Sequence, residues 1–133
     1  VLADDDAEFG YPEVDIGFVP AMVMAILRRK VTESVAFELV TTGERISAER
    51  AARIGLVNRM FPAGEFEAGT SRLLETLAKK PASALEISKA LLYELDVVGF
   101  DEAIRRGAEV NAIARRTDAC REGVRRFLDR SRS

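Results

Sequence analysis

The residues best suited to chemistry stand together near the start of the chain, in the run Phe9-Gly10-Tyr11-Pro12-Glu13-Val14-Asp15-Ile16-Gly17-Phe18-Val19-Pro20. Glu13 sits between Pro12 and Val14, with apolar Ile16 and Phe18 close behind. A carboxylate held in apolar surroundings loses solvation in its charged form. Its pKa then rises, and it can move protons near neutral pH. Glu13 also fits a structural role, capping the following turn or pairing with a surface arginine. The rest of the chemical inventory is short. There is no histidine, and Cys120 is the single cysteine. The usual general base and the commonest metal ligand are therefore missing, and without a Cys/His cluster the chain does not read as a zinc protein.

The elements that must position Glu13 follow from the same run. Pro12 and Pro20 each remove a backbone donor and push the preceding residue toward extended conformations. Gly10 and Gly17 are the natural places for positive φ or close backbone approach. The pattern predicts a short strand or edge, a tight turn, and then a helix with Pro20 in its first turn. Upstream, Val1-Leu2-Ala3 reads as the tail of a buried strand, so the sequence is expected to begin in the middle of a fold. Asp4-Asp5-Asp6 makes a polar turn, and no signal-peptide pattern is present. Residues 1–15 carry six acids and no base.

Downstream, Ala21 to Leu27 is apolar on every side and is expected to form a short helix buried all round. Arg28-Arg29-Lys30 would sit favourably at its negative end. Thr32 is an N-cap for Glu33 to Thr41, with Val35, Phe37, Leu39 and Val40 as the apolar set and Gly43 as the stop. Ser47 caps a second short helix that Gly55 ends, and Leu56 to Phe61 follows as an extended segment closed by Pro62. Beyond Glu65 the chain reads helical four times over. The first helix keeps Phe66, Thr70, Leu73, Leu74 and Leu77 on one face and stops at Lys79-Lys80-Pro81. The second carries Ala84, Ile87, Ser88, Leu91, Leu92 and Leu95, with Gly99 as its end. The third, from about Asp101 to Arg116, has Ile104, Gly107, Ala108 and Asn111 on a small-residue face. The fourth starts at Thr117 and is expected to bury Val124, Phe127 and Leu128.

Composition bounds the rest. The chain has 133 residues, 47% hydrophobic and 32% charged, which fits one soluble globular domain with a core. A net charge of −2 and sparse aromatics argue against a nucleic-acid binder. No apolar run reaches the length of a membrane span. One cysteine cannot form an intramolecular disulfide, and it fits a reducing cytoplasm. Residues 100–133 carry nine arginines against six acids. That excess could meet phosphates, or be a solvated helix face laced with local ion pairs.

Phe9-Gly10-x-Pro12-Glu13-x-x-x-Gly17-x-x-Pro20 resembles the central signature of the enoyl-CoA hydratase/isomerase (crotonase) superfamily. The resemblance continues through Thr42-Gly43-Glu44-Arg45-Ile46-Ser47-Ala48, Gly55-Leu56-Val57-Asn58, and Thr117-Asp118 with Glu122-Gly123. The four motifs stand in the family's order and match its C-terminal half over essentially the whole chain. The implied fold is mostly α with short strands, the C-terminal half of a crotonase-like α/β spiral plus its helical trimerisation layer. Residues 1–62 would end the core and carry the active-site loop. Residues 63–133 would form the helical region for oligomerisation and the acyl-CoA pocket.

The resemblance also implies a chemistry. Family members bind an acyl-CoA thioester and stabilise its enolate with two backbone N–H donors. In hydratases two glutamates hold the water that adds across the α,β double bond, and one of them falls on Glu13. In isomerases the glutamate at this position can shuttle a proton alone. The second hydratase glutamate and the oxyanion donors would lie upstream of Val1, in a missing N-terminal half that becomes an expected partner. Pro12, Gly17, Phe18, Pro20, Met22, Met24 and Phe127 fall on substrate-site positions. Met22 and Met24 replace a stretch that is glycine-rich in many members, and they fit either an acyl pocket or a core. Phe127 likewise fits a position near the ligand or plain packing. No metal or redox cofactor is implied, since coenzyme A arrives as part of the substrate. The expected setting is fatty acid metabolism in the cytoplasm, as a homo-oligomer, trimer or hexamer. The alternatives are an enoyl-CoA isomerase, or a non-catalytic helical assembly module.

Overall fold

The computed structural model describes residues 1–130. The chain forms two compact units, one from Val1 to Leu73 and one from Leu74 onward. In the first unit, strand β1 (Leu2–Asp4) runs parallel to β4 (Arg59–Phe61), pairing Leu2 with Arg59, Ala3 with Met60 and Asp4 with Phe61. The ladder is extended at both ends. Asn58 N–H donates to the carbonyl of Val1, and Asp5 N–H to that of Phe61, each at 2.9 Å. Strand β2 (Glu8–Phe9) pairs antiparallel with β3 (Ile46–Ser47). Between the strands lie a 3-10 turn (Pro12–Ile16) and the helices α1 (Ala21–Leu27), α2 (Glu33–Thr42) and α3 (Ala48–Arg53).

Local chemistry accounts for the joints. Ser47 accepts a hydrogen bond from Arg50 N–H at 3.3 Å and so caps α3. Gly43 closes α2 in the left-handed region, at φ 66°. Thr32 occupies the N-cap of α2 without a capping bond; its hydroxyl lies 3.3 Å from Ser34 Oγ instead. Pro20 is the N-cap of α1 and not a residue of its first turn. With its fixed φ and no N–H, it leaves the helical bonding to begin with Met24 N–H donating to its carbonyl at 2.9 Å.

The core is made by Ala3, Leu27, Val31, Leu39, Ile46, Ala48, Ala51, Leu56 and Val57, all within the first unit. Leu27 and Leu39 are its largest fully buried side chains. Ala48 and Ala51 have no exposed surface, and small side chains there bring α3 close to the strands. The expectation that α1 is buried all round is corrected here. Among its residues only Leu27 is buried, and Met22 and Ile26 are exposed. Phe37 also leaves the expected apolar set of α2 and faces outward. Helix α2 packs on α1, and Leu27 is the residue that α1 sends into the core.

Helix α4 (Phe66–Ala78) begins in the first unit, where Gly69 is buried and Phe66 meets the Phe61 ring edge-on at 6.2 Å. The second unit contains α5 (Ala82–Glu94), a 3-10 turn (Leu95–Val97), α6 (Phe100–Ala114) and α7 (Asp118–Arg130). Helices α6 and α7 both pack on α5. Thr117 Oγ1 accepts from Cys120 N–H at 3.2 Å at the start of α7. No residue of α5, α6 or α7 is fully buried. The expected burial of Val124, Phe127 and Leu128 does not occur; all three are more than half exposed. A helix pair shares only a narrow stripe, and these apolar positions stay largely exposed among the described residues.

Candidate active site

Glu13 is the second residue of the 3-10 turn. Pro12 opens that turn with a fixed φ, and Gly17 closes it at φ 73°. Gly17 N–H donates to Val14 O at 3.0 Å, and Phe18 N–H donates to the carbonyl of Glu13 itself at 2.9 Å. The backbone of Glu13 is therefore tied on both sides. Only glycine adopts the closing conformation without strain.

The side chain is half-buried, and its Oε2 is buried with no hydrogen-bond partner. Buried carboxylate oxygens are ordinarily satisfied, and an orphan costs about 1–3 kcal/mol. No side chain caps the turn, so the capping role for Glu13 is not taken up. Ile16 and Phe18, expected to wall the carboxylate, are 83% and 65% exposed and do not enclose it. Tyr11, two residues before Glu13, has its phenol pushed above its ordinary value. Burial is the larger cause and the Glu13 carboxylate the second. Tyr11 was not among the residues singled out from sequence. Its signal was its place two before Glu13, but the tight turn is needed to bring the two groups into electrostatic contact.

The other candidates divide. Pro12, Gly17 and Phe18 share the turn or its exit with Glu13, and Pro20 is buried at the start of α1. Met24 lines an apolar groove of about 400 Å³ between α1 and α2, with Ala21, Arg28, Glu33, Phe37 and Val40. Met22, on the same helix, is 86% exposed and does not line it, and neither does Glu13. Phe127 belongs to α7 in the second unit, with an exposed ring. Many of the arginines of residues 100–133 are engaged. Arg105 pairs with Glu102 and Glu109, Arg106 with Glu94 at 2.6 Å and Glu109 at 3.2 Å, and Arg125 and Arg126 with Glu122. Their surroundings are those of a solvated face laced with local pairs. Among the described residues no cluster of His, Cys, Asp and Glu is placed to hold a metal ion, and no helix is long and apolar enough to cross a membrane.

A carboxylate oxygen that is buried, unpaired and held on a rigid turn can accept or deliver a proton to whatever reaches it. Comparison with known proteins identifies the family of the chain. The family model for enoyl-CoA hydratase/isomerase matches residues 1–133. A Thermus thermophilus protein that goes by an enoyl-CoA hydratase name is 39% identical over 130 residues, covering 98% of this chain and 51% of that protein. The 2,3-dehydroadipyl-CoA hydratase of Escherichia coli is 29% identical over 131 residues, with coverages of 98% and 51%. The crystal structure of an enoyl-CoA hydratase from Mycobacterium smegmatis superposes with a TM-score of 0.93 at 28% identity, over 97% of this chain and 50% of that one. The fold is thus that of crotonase-family proteins, matched over about half of their chains, and the chain spans about half the length of the curated relatives it matches. It belongs to the enoyl-CoA hydratase/isomerase family.

Proposed function

We propose that this chain supplies the proton-transfer carboxylate of an enzyme that adds water to a 2-enoyl-CoA thioester, with Glu13 in that role. The observation that carries the reading is the buried, unpartnered Oε2 of Glu13 on a turn tied by Pro12 and Gly17. Such an oxygen is poorly satisfied by the protein alone and well suited to a water held against the substrate. Relatives named as hydratases of CoA thioesters support the substrate class, since their names include a crotonyl-CoA hydratase of Syntrophomonas wolfei. In this reading the second glutamate and the backbone donors for the thioester oxygen come from the portion of the relatives that the chain does not match. Met24 and the groove between α1 and α2 are then candidates for contact with the acyl part. The test is hydration of crotonyl-CoA by the protein together with any polypeptide that co-purifies with it. Glu13→Gln should lower kcat by about 10²–10⁴-fold, the usual share of a positioned acid–base group. Activity untouched by that change would sink the role.

A second reading, a helical assembly module, is favoured by the exposed apolar side chains of α6: Phe100 at 79%, Ile104 at 61% and Ile113 at 60%. Phe100 and Ile104 lie one turn apart on the same side of α6, exposed apolar surface can mark an interaction face, and a homo-oligomer such as a trimer or hexamer would cover it. Light scattering that finds a well-folded monomer would count against it.

A further inference from the structure

Gly43 ends α2 in the left-handed region, at φ 66° and ψ 2°, and it is buried. As sequence it reads only as a helix stop, but its surroundings give it a second task. A Cβ built on it would lie 3.1 Å from Cγ1 of Val14 and 3.2 Å from Oδ1 of Asp15. Those are the two residues that follow Glu13 on the 3-10 turn. Unstrained contact of a methyl group with such atoms begins nearer to about 3.5 Å. The turn thus rests on a bare Cα. It also lacks an anchor of its own: none of its residues is fully buried, and no side chain caps it. Its hydrogen bonds from Gly17 and Phe18 fix its shape and not its station, and α2 is the element it packs against most closely.

We propose that Gly43 is a positioning residue for Glu13: a side chain at 43 lifts Val14 and Asp15 and carries the carboxylate out of place. The proposal rests on the reading of Glu13 as the proton-transfer group. Gly55 provides the comparison. It also holds a left-handed φ, 84°, but a Cβ there would meet only the Lys30 carbonyl at an ordinary 3.4 Å. Alanine at either position strains the backbone, and only alanine at 43 reaches the turn.

The experiment reads Tyr11, whose phenol feels the Glu13 carboxylate. The chain has two tyrosines, so Tyr93→Phe leaves Tyr11 as the sole reporter. Its titration midpoint is followed by NMR of the ring Cζ, and Glu13→Gln measures how much of that midpoint belongs to the carboxylate. Gly43→Ala should move the midpoint, the movement should be smaller when Glu13→Gln is also present, and Gly55→Ala should leave it in place. Crotonyl-CoA hydration by Gly43→Ala should fall by up to about 10-fold in kcat with KM little changed, since neighbours at 3.1 and 3.2 Å give way by a fraction of the ångström that costs about 100-fold. Adding Val14→Ala should recover part of the loss.

An unmoved Tyr11 midpoint in Gly43→Ala overturns the seat. A moved midpoint with kcat unchanged overturns the catalytic reading beneath it and leaves the geometry standing. Should Gly43→Ala fail to fold, the combination with Val14→Ala and Asp15→Ala takes its place. If that also fails while Gly55→Ala folds, the glycine holds the core and not the turn, and the proposal is wrong.

Discussion

Gly69→Ala isolates one contact on which the first unit closes. Gly69 is buried in α4, and its N–H donates to Glu65 O at 2.8 Å. On helix propensity alone the substitution should stabilise the chain by about 1 kcal/mol. The structure argues for the opposite sign. A Cβ at residue 69 would stand 2.2 Å from Cε1 and 2.3 Å from Cδ1 of Phe61. Carbon atoms settle at about 3.5–4.0 Å, so the ring must move by more than about 1 Å. It cannot take the backbone with it, because β4 is bonded to β1 along its length. The ring must swing, and its edge contact with Phe66 goes with it. Overpacking costs about 1–3 kcal/mol, and the ring pair is worth about 0.5–1.5 kcal/mol. Against the gain of about 1 kcal/mol, the expected net loss is about 2 kcal/mol. Urea unfolding followed by circular dichroism measures it. The decisive comparison is a second pair in a Phe61→Ala background, where the clash is gone and Gly69→Ala should become stabilising. A stabilising Gly69→Ala in the unmodified chain, or an equal loss in both backgrounds, would refute the reasoning.

Two further outcomes follow from the same structure. Ser47→Ala removes the cap of α3, whose bond at 3.3 Å is long, so the loss should sit near the low end of the usual range at about 0.5–1 kcal/mol; Ser47→Asp should restore it in the same urea titration. Tyr11 holds its proton to higher pH in the folded chain than in the unfolded one. Its contribution to stability is therefore whole below the unfolded pKa of about 10 and is lost as pH rises through the folded value. The unmodified protein should lose stability more steeply above pH of about 10 than Tyr11→Phe does. Glu13→Gln should flatten that slope only in part, since burial is the larger cause. Equal slopes for Tyr11→Phe and the unmodified chain would contradict this.

What was legible in the sequence was what short-range chemistry decides. Pro12 and Gly17 bracket a tight turn, Gly43 stops α2, and Ser47 caps α3, because each act involves atoms within a few residues. Glu13 stood out for the same reason: a carboxylate between a proline and apolar neighbours is locally unusual. Its actual burial was not legible. The neighbours expected to enclose it, Ile16 and Phe18, are exposed, while Oε2 itself is buried. The outward-facing Met22, Phe37 and Phe127 teach a related lesson. Periodicity reports which side of a helix is apolar, and it says nothing about whether another layer lies on that side. Contacts such as Gly43 on Val14 and Gly69 on Phe61 were invisible because glycine has no side chain to enter a hydrophobic pattern.

The site's stability is borrowed. A buried carboxylate oxygen without a partner works against folding, and the turn that carries it contributes no fully buried side chain in return. Its placement has to be held by the surroundings: the proline and glycine that fix its backbone, and the helix end beneath it. The nine core residues between Ala3 and Val57 frame that arrangement from both sides in sequence. Strain tolerated at one point because the neighbouring structure over-determines it is the usual signature of a working site. If Glu13 has the proposed role, substitutions in the frame should disturb proton transfer before they unfold the chain, whereas relieving the carboxylate itself should weaken that transfer without weakening the fold.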